Sequence, residues 1–245
     1  MTTLTLPRVR GEAERAFYTG MALAILAAVF LGFARSFFLR AWYPEPRGAP
    51  ETFFYLHGAV FTAWFVLLVV QASLVGVGRT DLHRRLGTAG ALLAVAMVAT
   101  GTWGALIAVR RPGGFVGIDI PPLRFLAIPL FDMALFGLMV GIAVARRRDP
   151  QTHKRLMLVA SVAIIAAAVA RWPFAFMKAG PPAFLGITDL FLVPLVIWDL
   201  ATRRRLHPAT LWAGLALLVS QPLRLWVSGT SAWRVFARWA TGLGG

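Results

Sequence analysis

The chain has 245 residues, 58% of them hydrophobic and 14% charged, with a mean hydropathy of +0.71, an apolar excess beyond that of water-soluble domains. It contains no cysteine, which excludes disulfides, iron–sulfur ligation, thiol nucleophiles and cysteine-based zinc sites. The formal charge of +15 is dispersed between apolar runs instead of gathered on one face, so it reads as a topology signal and no nucleic-acid partner is expected.

In chain order, residues 1–16, "MTTLTLPRVRGEAERA", form a basic stretch expected to be a cytoplasmic tail. The apolar segment behind it is too long for a signal-peptide core, which predicts an uncleaved first span. About 20 apolar residues cross the hydrocarbon core as a helix, and seven segments qualify, at roughly 17–39, 53–76, 87–109, 123–145, 155–177, 183–201 and 209–229. The predicted fold is therefore all-α, a polytopic bundle of about seven transmembrane helices over residues 17–229. Residues 230–245 contain "SAWRVFARW", where Trp233, Phe236 and Trp239 alternate with Arg234 and Arg238 as in an amphipathic interfacial helix.

Arginine and lysine mark cytoplasmic loops because these side chains resist translocation. On a seven-span reading fourteen of them (Arg8, Arg10, Arg15, Arg79, Arg84, Arg85, Arg146, Arg147, Arg148, Lys154, Arg155, Arg203, Arg204, Arg205) fall on one side and seven, including Arg47, on the other. That bias predicts a bacterial inner-membrane protein with its N-terminus in the cytoplasm and its C-terminus in the periplasm. Anionic lipid headgroups are the expected partners of the cytoplasmic loops.

"TDLHRRLG" at 80–87 and "QTHKRLM" at 151–157 both follow a span and open the next one, 70 residues apart, and "RRRLHPATLW" places His207 similarly before Pro208. The pattern suggests three related helical hairpins after one leading helix. His83 and His153 lie at one depth, and two imidazoles on neighbouring helices, with arginines nearby for propionates, could ligate a b-type haem. The other reading of these histidines is structural: a helix-start histidine caps backbone donors or meets a loop carbonyl while its arginines bind lipid headgroups. His83, His153, His207, Asp199 and Gln71 gather at this boundary without zinc-ligand spacing, so no metal site is expected.

Ionisable residues inside spans are costly and are functional candidates by default. Toward the opposite, outer face lie Arg35, His57, Asp132, Arg171, Asp189 and Arg224, a set with net positive charge suited to a small or lipophilic anionic or quinone-like ligand. Arg35, Arg171 and Arg224 are also near enough to span ends to snorkel, and Asp132 and Asp189 could close structural ion pairs. His57, Trp64 and Gln71 recur every seven residues on one face of the second span. The third possibility is a structural or accessory membrane protein without a ligand. Walker, GxGxxG and GxSxG patterns are absent, "RRPGGFVG" reads as a turn, and no mid-span lysine suits a retinal Schiff base.

The segments "LHGAVFTAWFVLLVVQASLVGVGRTDLHRRLGTAGALL", "THKRLMLVASVAIIAAAVARW" and "SQPLRLWVSGTSAWRVFARW" resemble predicted bacterial membrane proteins of the domain-of-unknown-function type with H-R-x-x-G at a helix start. The resemblance covers most of the chain and implies a bacterial inner-membrane protein without implying an activity. "HRRLG" is also similar to the E-x-x-H-R-x-x-G motif of haem A synthases, whose histidine ligates haem; His83, Arg84 and Gly87 match, whereas Thr80 replaces the glutamate and Met157 the glycine of the second copy.

Overall fold

The computed structural model describes residues 6–43, 51–112, 114–115 and 120–243. Arg47, the side chains of Arg8 and Arg10, and parts of the "RRPGGFVG" turn lie outside what is described. The fold is all-α. Helix α1 (Leu6–Phe33) runs into a π-helical turn (Ala34–Phe38), followed by α2 (Thr52–Gly76), α3 (Thr80–Arg110), the short α4 (Pro122–Phe125) and α5 (Ala127–Ala145). Then come α6 (Pro150–Ala163), α7 (Ala166–Val169), α8 (Pro181–Leu190), α9 (Val193–Arg203), α10 (Pro208–Ser228) and α11 (Ser231–Thr241). Helix α1 begins at Leu6, so residues 6–16, expected as a tail, include its first turns.

Among the described residues six units are long and apolar enough to cross a membrane: 11–38, 52–76, 80–110, 122–145 (α4 with α5), 150–169 (α6 with α7) and 181–203 (α8 with α9). These make the chain a multi-pass membrane protein. The predicted seventh span exists as α10, 21 residues long, but Gln221, Pro222 and Arg224 dilute its apolar character and it does not meet the same standard. The fifth span is shorter than predicted: regular helix ends at Val169, so the stretch up to 177 is a turn and a 3-10 segment (Ala175–Ala179).

Local chemistry sets the boundaries. The Asp149 carboxylate caps α6 by accepting from the backbone N–H groups of Gln151 and Thr152, with Pro150 in the first turn. His207 Nδ1 accepts from the Ala209 N–H to cap α10, and Thr230 caps α11 through the Trp233 N–H. A break at Ile164–Ile165 separates α6 from α7, and one before Pro194 separates α8 from α9, where proline supplies no N–H to a continuing helix.

The unit formed by α6 and α7 is the centre of the bundle: 72% of its apolar window is buried, against 11% for α2, which lies at the periphery. Around it pack α5, α10, α8 and α1, while α2 and α3 pair beside α1 and α5. Phe136, Met97, Ile25, Val159, Leu195 and Leu217 fill the interior. Gly32 permits the closest crossing, since a Cβ there would sit 2.1 Å from the Ala168 carbonyl oxygen of α7. Exposed Leu92, Val95, Trp103, Leu138, Trp212 and Val219 give the bundle an apolar outer surface suited to lipid.

Two expectations change. The 70-residue repeat is seen at the helix starts only: α3 is an unbroken 31-residue helix, whereas its counterpart α6 ends after 14. Helix α11 is amphipathic, but Trp233 faces the bundle, buried beside Ala237 and Thr241 and donating from Nε1 to the Leu123 carbonyl at 2.8 Å, while Phe236 and Trp239 stay exposed.

Candidate functional sites

The six outer residues predicted as one cluster divide into two trios. Asp132, Asp189 and Arg224 connect α5, α8 and α10. Arg224 is fully buried; its Nη1 donates to the Asp132 carboxylate, its Nη2 to Ser220 Oγ at 2.7 Å and its Nε to the Ser220 carbonyl at 3.2 Å. Gln221 next to it donates to Asp189 at 2.6 Å. Every side chain of this trio therefore has a polar partner from the protein itself, which offsets the cost of burying charge.

The other trio is looser. His57 Nδ1 lies 3.3 Å from the Thr100 carbonyl of α3, its ring 4.2 Å from that of Phe61, with Phe53 and Phe54 flanking it. Arg171 and Arg35 are exposed and rest over the Phe33 and Tyr43 rings, 4.9 and 5.4 Å from the ring centres. The Arg171 head also donates from Nη1 to the Ala167 carbonyl at 2.5 Å, so both arginines rest on aromatic side chains instead of meeting a carboxylate of the cluster. Among the described residues no hydrogen bond or ion pair joins one trio to the other.

At the other end of the helices lies a network that the sequence displayed only in part. Arg155, counted with the loop cations, is 1% exposed and forms a two-pronged ion pair with the fully buried Asp199, Nε to Oδ1 at 3.1 Å and Nη2 to the same oxygen. It is a core residue and not a topology signal. Its Nη1 reaches the Gln151 side chain at 2.6 Å, while Asp199 Oδ2 accepts from Thr210 Oγ1 at 2.6 Å and from the His207 N–H at 3.0 Å. One carboxylate thus joins α6, α9 and the start of α10. Burial holds the His207 imidazole below its usual range, which keeps Nδ1 free to accept as the helix cap. The Thr152 hydroxyl and the first N–H groups of α6 likewise hold the Asp149 carboxyl below the usual carboxylate range.

His83 and His153 come together at this same end. Their rings are 6.4 Å apart between centres and perpendicular. His153 Nδ1 bonds the Ala143 carbonyl at 2.8 Å, a carbonyl in the last turn of α5 instead of the expected loop carbonyl. His83 Nδ1 is buried with no partner. Two metal–nitrogen bonds of about 2 Å each, plus the half-widths of two imidazoles, span about 6 Å, a separation of the same size as that between the two rings. Among the described residues no group of three or more His, Asp or Glu is placed to hold a metal. Any group held here must bring its remaining ligands with it, as a haem does.

A cavity of about 350 Å³ opens at the Arg224 end, lined by Ile120, Pro121, Arg124, Phe125, Ile128, Leu225 and Ser228. The bundle, its polar anchors and its apolar surface define a multi-pass all-α membrane protein. Searches against known protein families, curated proteins and solved structures find no match for this chain.

Proposed function

We propose that the chain is a membrane redox protein of the b-type haem class, with His83 and His153 as the residues that would hold the haem. The observation that supports this reading is the neighbouring, perpendicular imidazole pair, one ring anchored to a backbone carbonyl and the other with a buried, unpartnered Nδ1. A hydrogen bond from one imidazole nitrogen to a carbonyl fixes the ring and raises the basicity of the other nitrogen, the usual arrangement behind a ligating histidine. Bound haem would supply one-electron chemistry; the protein's part is to present two imidazoles at fixed separation and cationic side chains, Arg84 the nearest in sequence, for carboxylate groups. The bias of basic residues, thirteen to seven once the buried Arg155 is set aside, supports reading this end as the cytoplasmic one in a bacterial inner membrane, with the N-terminus inside and the C-terminus in the periplasm. The test is optical: protein purified from haem-replete cells is expected to show a Soret band and a reduced-minus-oxidised difference spectrum, both lost in His83→Ala and in His153→Ala. Colourless wild-type protein sinks the reading.

A second reading is favoured by the 350 Å³ cavity, where the unpaired, exposed Arg124 guanidinium meets apolar walls from Phe125, Ile128 and Leu225. That mixture suits a lipophilic anion or quinone-like head, and it moves the expected ligand away from Arg224, whose donors are already engaged, to its neighbour. Binding of a short-chain quinone followed by tryptophan quenching, weakened at least tenfold in Arg124→Gln, is the expected result; equal binding by the variant refutes it.

A further inference from the structure

The Arg155–Asp199 network forms the inner wall of a second cleft, about 270 Å³, lined by Gly11 and Glu14 of α1, Gln151 and Arg155 of α6, and Trp198, Thr202 and Arg203 of α9. Most charges around it are matched: Glu14 bonds Lys154, and Asp199 bonds Arg155. Arg203 is the exception. It lines the cleft, and its Nε is buried without a hydrogen-bond partner. The three cations Lys154, Arg155 and Arg203 face the two carboxylates Glu14 and Asp199, so among these groups one positive charge is left over, on Arg203, whose Nε has no partner among the described residues.

The neighbouring aromatic residues add a second unsatisfied group. Tyr18, beneath the Lys154 ammonium at 4.7 Å, feels the charges of Glu14, Arg155 and Arg203, and its hydroxyl is also buried with no partner. Buried polar atoms without partners are uncommon, and the one that belongs to a residue lining the cleft, Arg203 Nε, calls for an occupant that accepts hydrogen bonds, whereas Tyr18 does not line the cleft. At about 30 Å³ per water, the cleft holds a group the size of a phosphate with its nearest waters, and not a second helix. Trp198 stacks on Phe17 at 4.6 Å to give the cleft one aromatic wall, and Ile197 and Leu200 beside it on α9 are exposed and apolar.

We propose that this cleft is a binding site for a phosphate-bearing anion, with the Arg203 guanidinium as its principal ligand. Guanidinium donors match phosphate oxygens in bidentate geometry, and basic recesses between transmembrane helices at the membrane boundary are where acidic headgroups bind. The chemistry is shared by inorganic phosphate and by a lipid phosphodiester, whose acyl chains would lie along Ile197 and Leu200. The site shares no residue with the histidine pair, so it stands or falls independently of haem.

The test uses full-length protein in zwitterionic detergent-free nanodiscs of phosphatidylcholine, with two titrants: inorganic phosphate, and phosphatidylglycerol replacing part of the lipid. Thermal stabilisation and retained lipid counted by native mass spectrometry are the readouts. Arg203→Gln is expected to weaken saturable binding at least tenfold, and Arg203→Lys to weaken it less. Gly11→Leu is expected to weaken binding without removing charge, because nothing lies within 4 Å of a Cβ at that position and the added side chain fills the mouth of the cleft. Arg205→Gln, which lines no part of the cleft, should bind as wild type. A response to inorganic phosphate supports a free anion as the natural occupant, and a response to phosphatidylglycerol alone supports a lipid. Binding of neither, or equal loss in Arg203→Gln and Arg205→Gln, overturns the proposal.

Discussion

The two buried ion pairs solve one problem in two ways. Asp199 is saturated: Arg155 holds it with two nitrogens, and Thr210 and the His207 backbone complete its acceptors. Asp132 takes a single bond from Arg224, whose other donors go to Ser220 and, at 3.5 Å, the Ile128 carbonyl. The first pair organises three helices around a carboxylate; in the second an arginine divides its donors between its own helix and α5. Both include α10, the helix too polar for the simple standard of a membrane span. Anchored near both ends, α10 can remain in the bundle because its polar groups are paired within the protein and present little unsatisfied polarity to the bilayer.

The sharpest way to break this contrast is Asp199→Ala. It strands the fully buried Arg155 and removes acceptors from Thr210 and the start of α10, an expected loss of about 3–5 kcal/mol. Denaturant titration of purified protein checks it, and the double variant Asp199→Leu with Arg155→Met should recover most of the loss. Wild-type stability in the single variant would show that the network is dispensable. Arg224→Met is expected to cost less, about 2–3 kcal/mol, because the carboxyl left behind can neutralise itself by taking a proton whereas an arginine cannot. If Arg224→Met proves costlier than Asp199→Ala, the ranking of the two pairs is reversed. Between the two ends, Trp64 donates to Ser161 at 3.1 Å inside the core, so Trp64→Phe should cost about 1 kcal/mol by the same measurement.

The sequence already displayed the apolar runs, the helix starts and the histidines at their mouths, because each depends on neighbours a few residues away. His207 with Pro208, and Asp149 with Pro150, carry their capping role in the local string. Arg155 was illegible for the opposite reason. It follows Lys154 and sits just beyond the arginine run 146–148, so composition assigns it to a loop, whereas its burial depends on Asp199, 44 residues away. A signal existed: Pro150 fixes the phase of α6 and sets Arg155 four residues after Gln151, on one face and more than a turn inside. The outer residues show the same limit. Depth along each span was readable from residue counting, but not which helix lies beside which, so six residues at similar depth looked like one cluster when only Asp132 and Arg224 pair directly.

The smallest expected effect separates the two ends by pH. His207 caps α10 only through an unprotonated Nδ1, and burial lowers its proton affinity in the folded chain relative to the unfolded one. A group whose folded pKa is depressed binds more protons when unfolded, so its stabilisation is fully present above the unfolded value of about 6.5 and is lost as the pH falls through the folded value. Thermal stability should therefore decline on acidification below about 6.5. His207→Asn keeps a capping acceptor that does not titrate in this range, and should flatten that slope while leaving stability at neutral pH within about 1 kcal/mol of wild type. The stabilisation from Asp149 is present at neutral pH and is lost only at lower pH, since its depressed carboxyl keeps its cap until the medium is acid enough to protonate it. An unchanged slope in His207→Asn would assign the acid sensitivity to another group and detach the cap from the Asp199 network; a flattened slope ties the start of α10 to that end of the bundle.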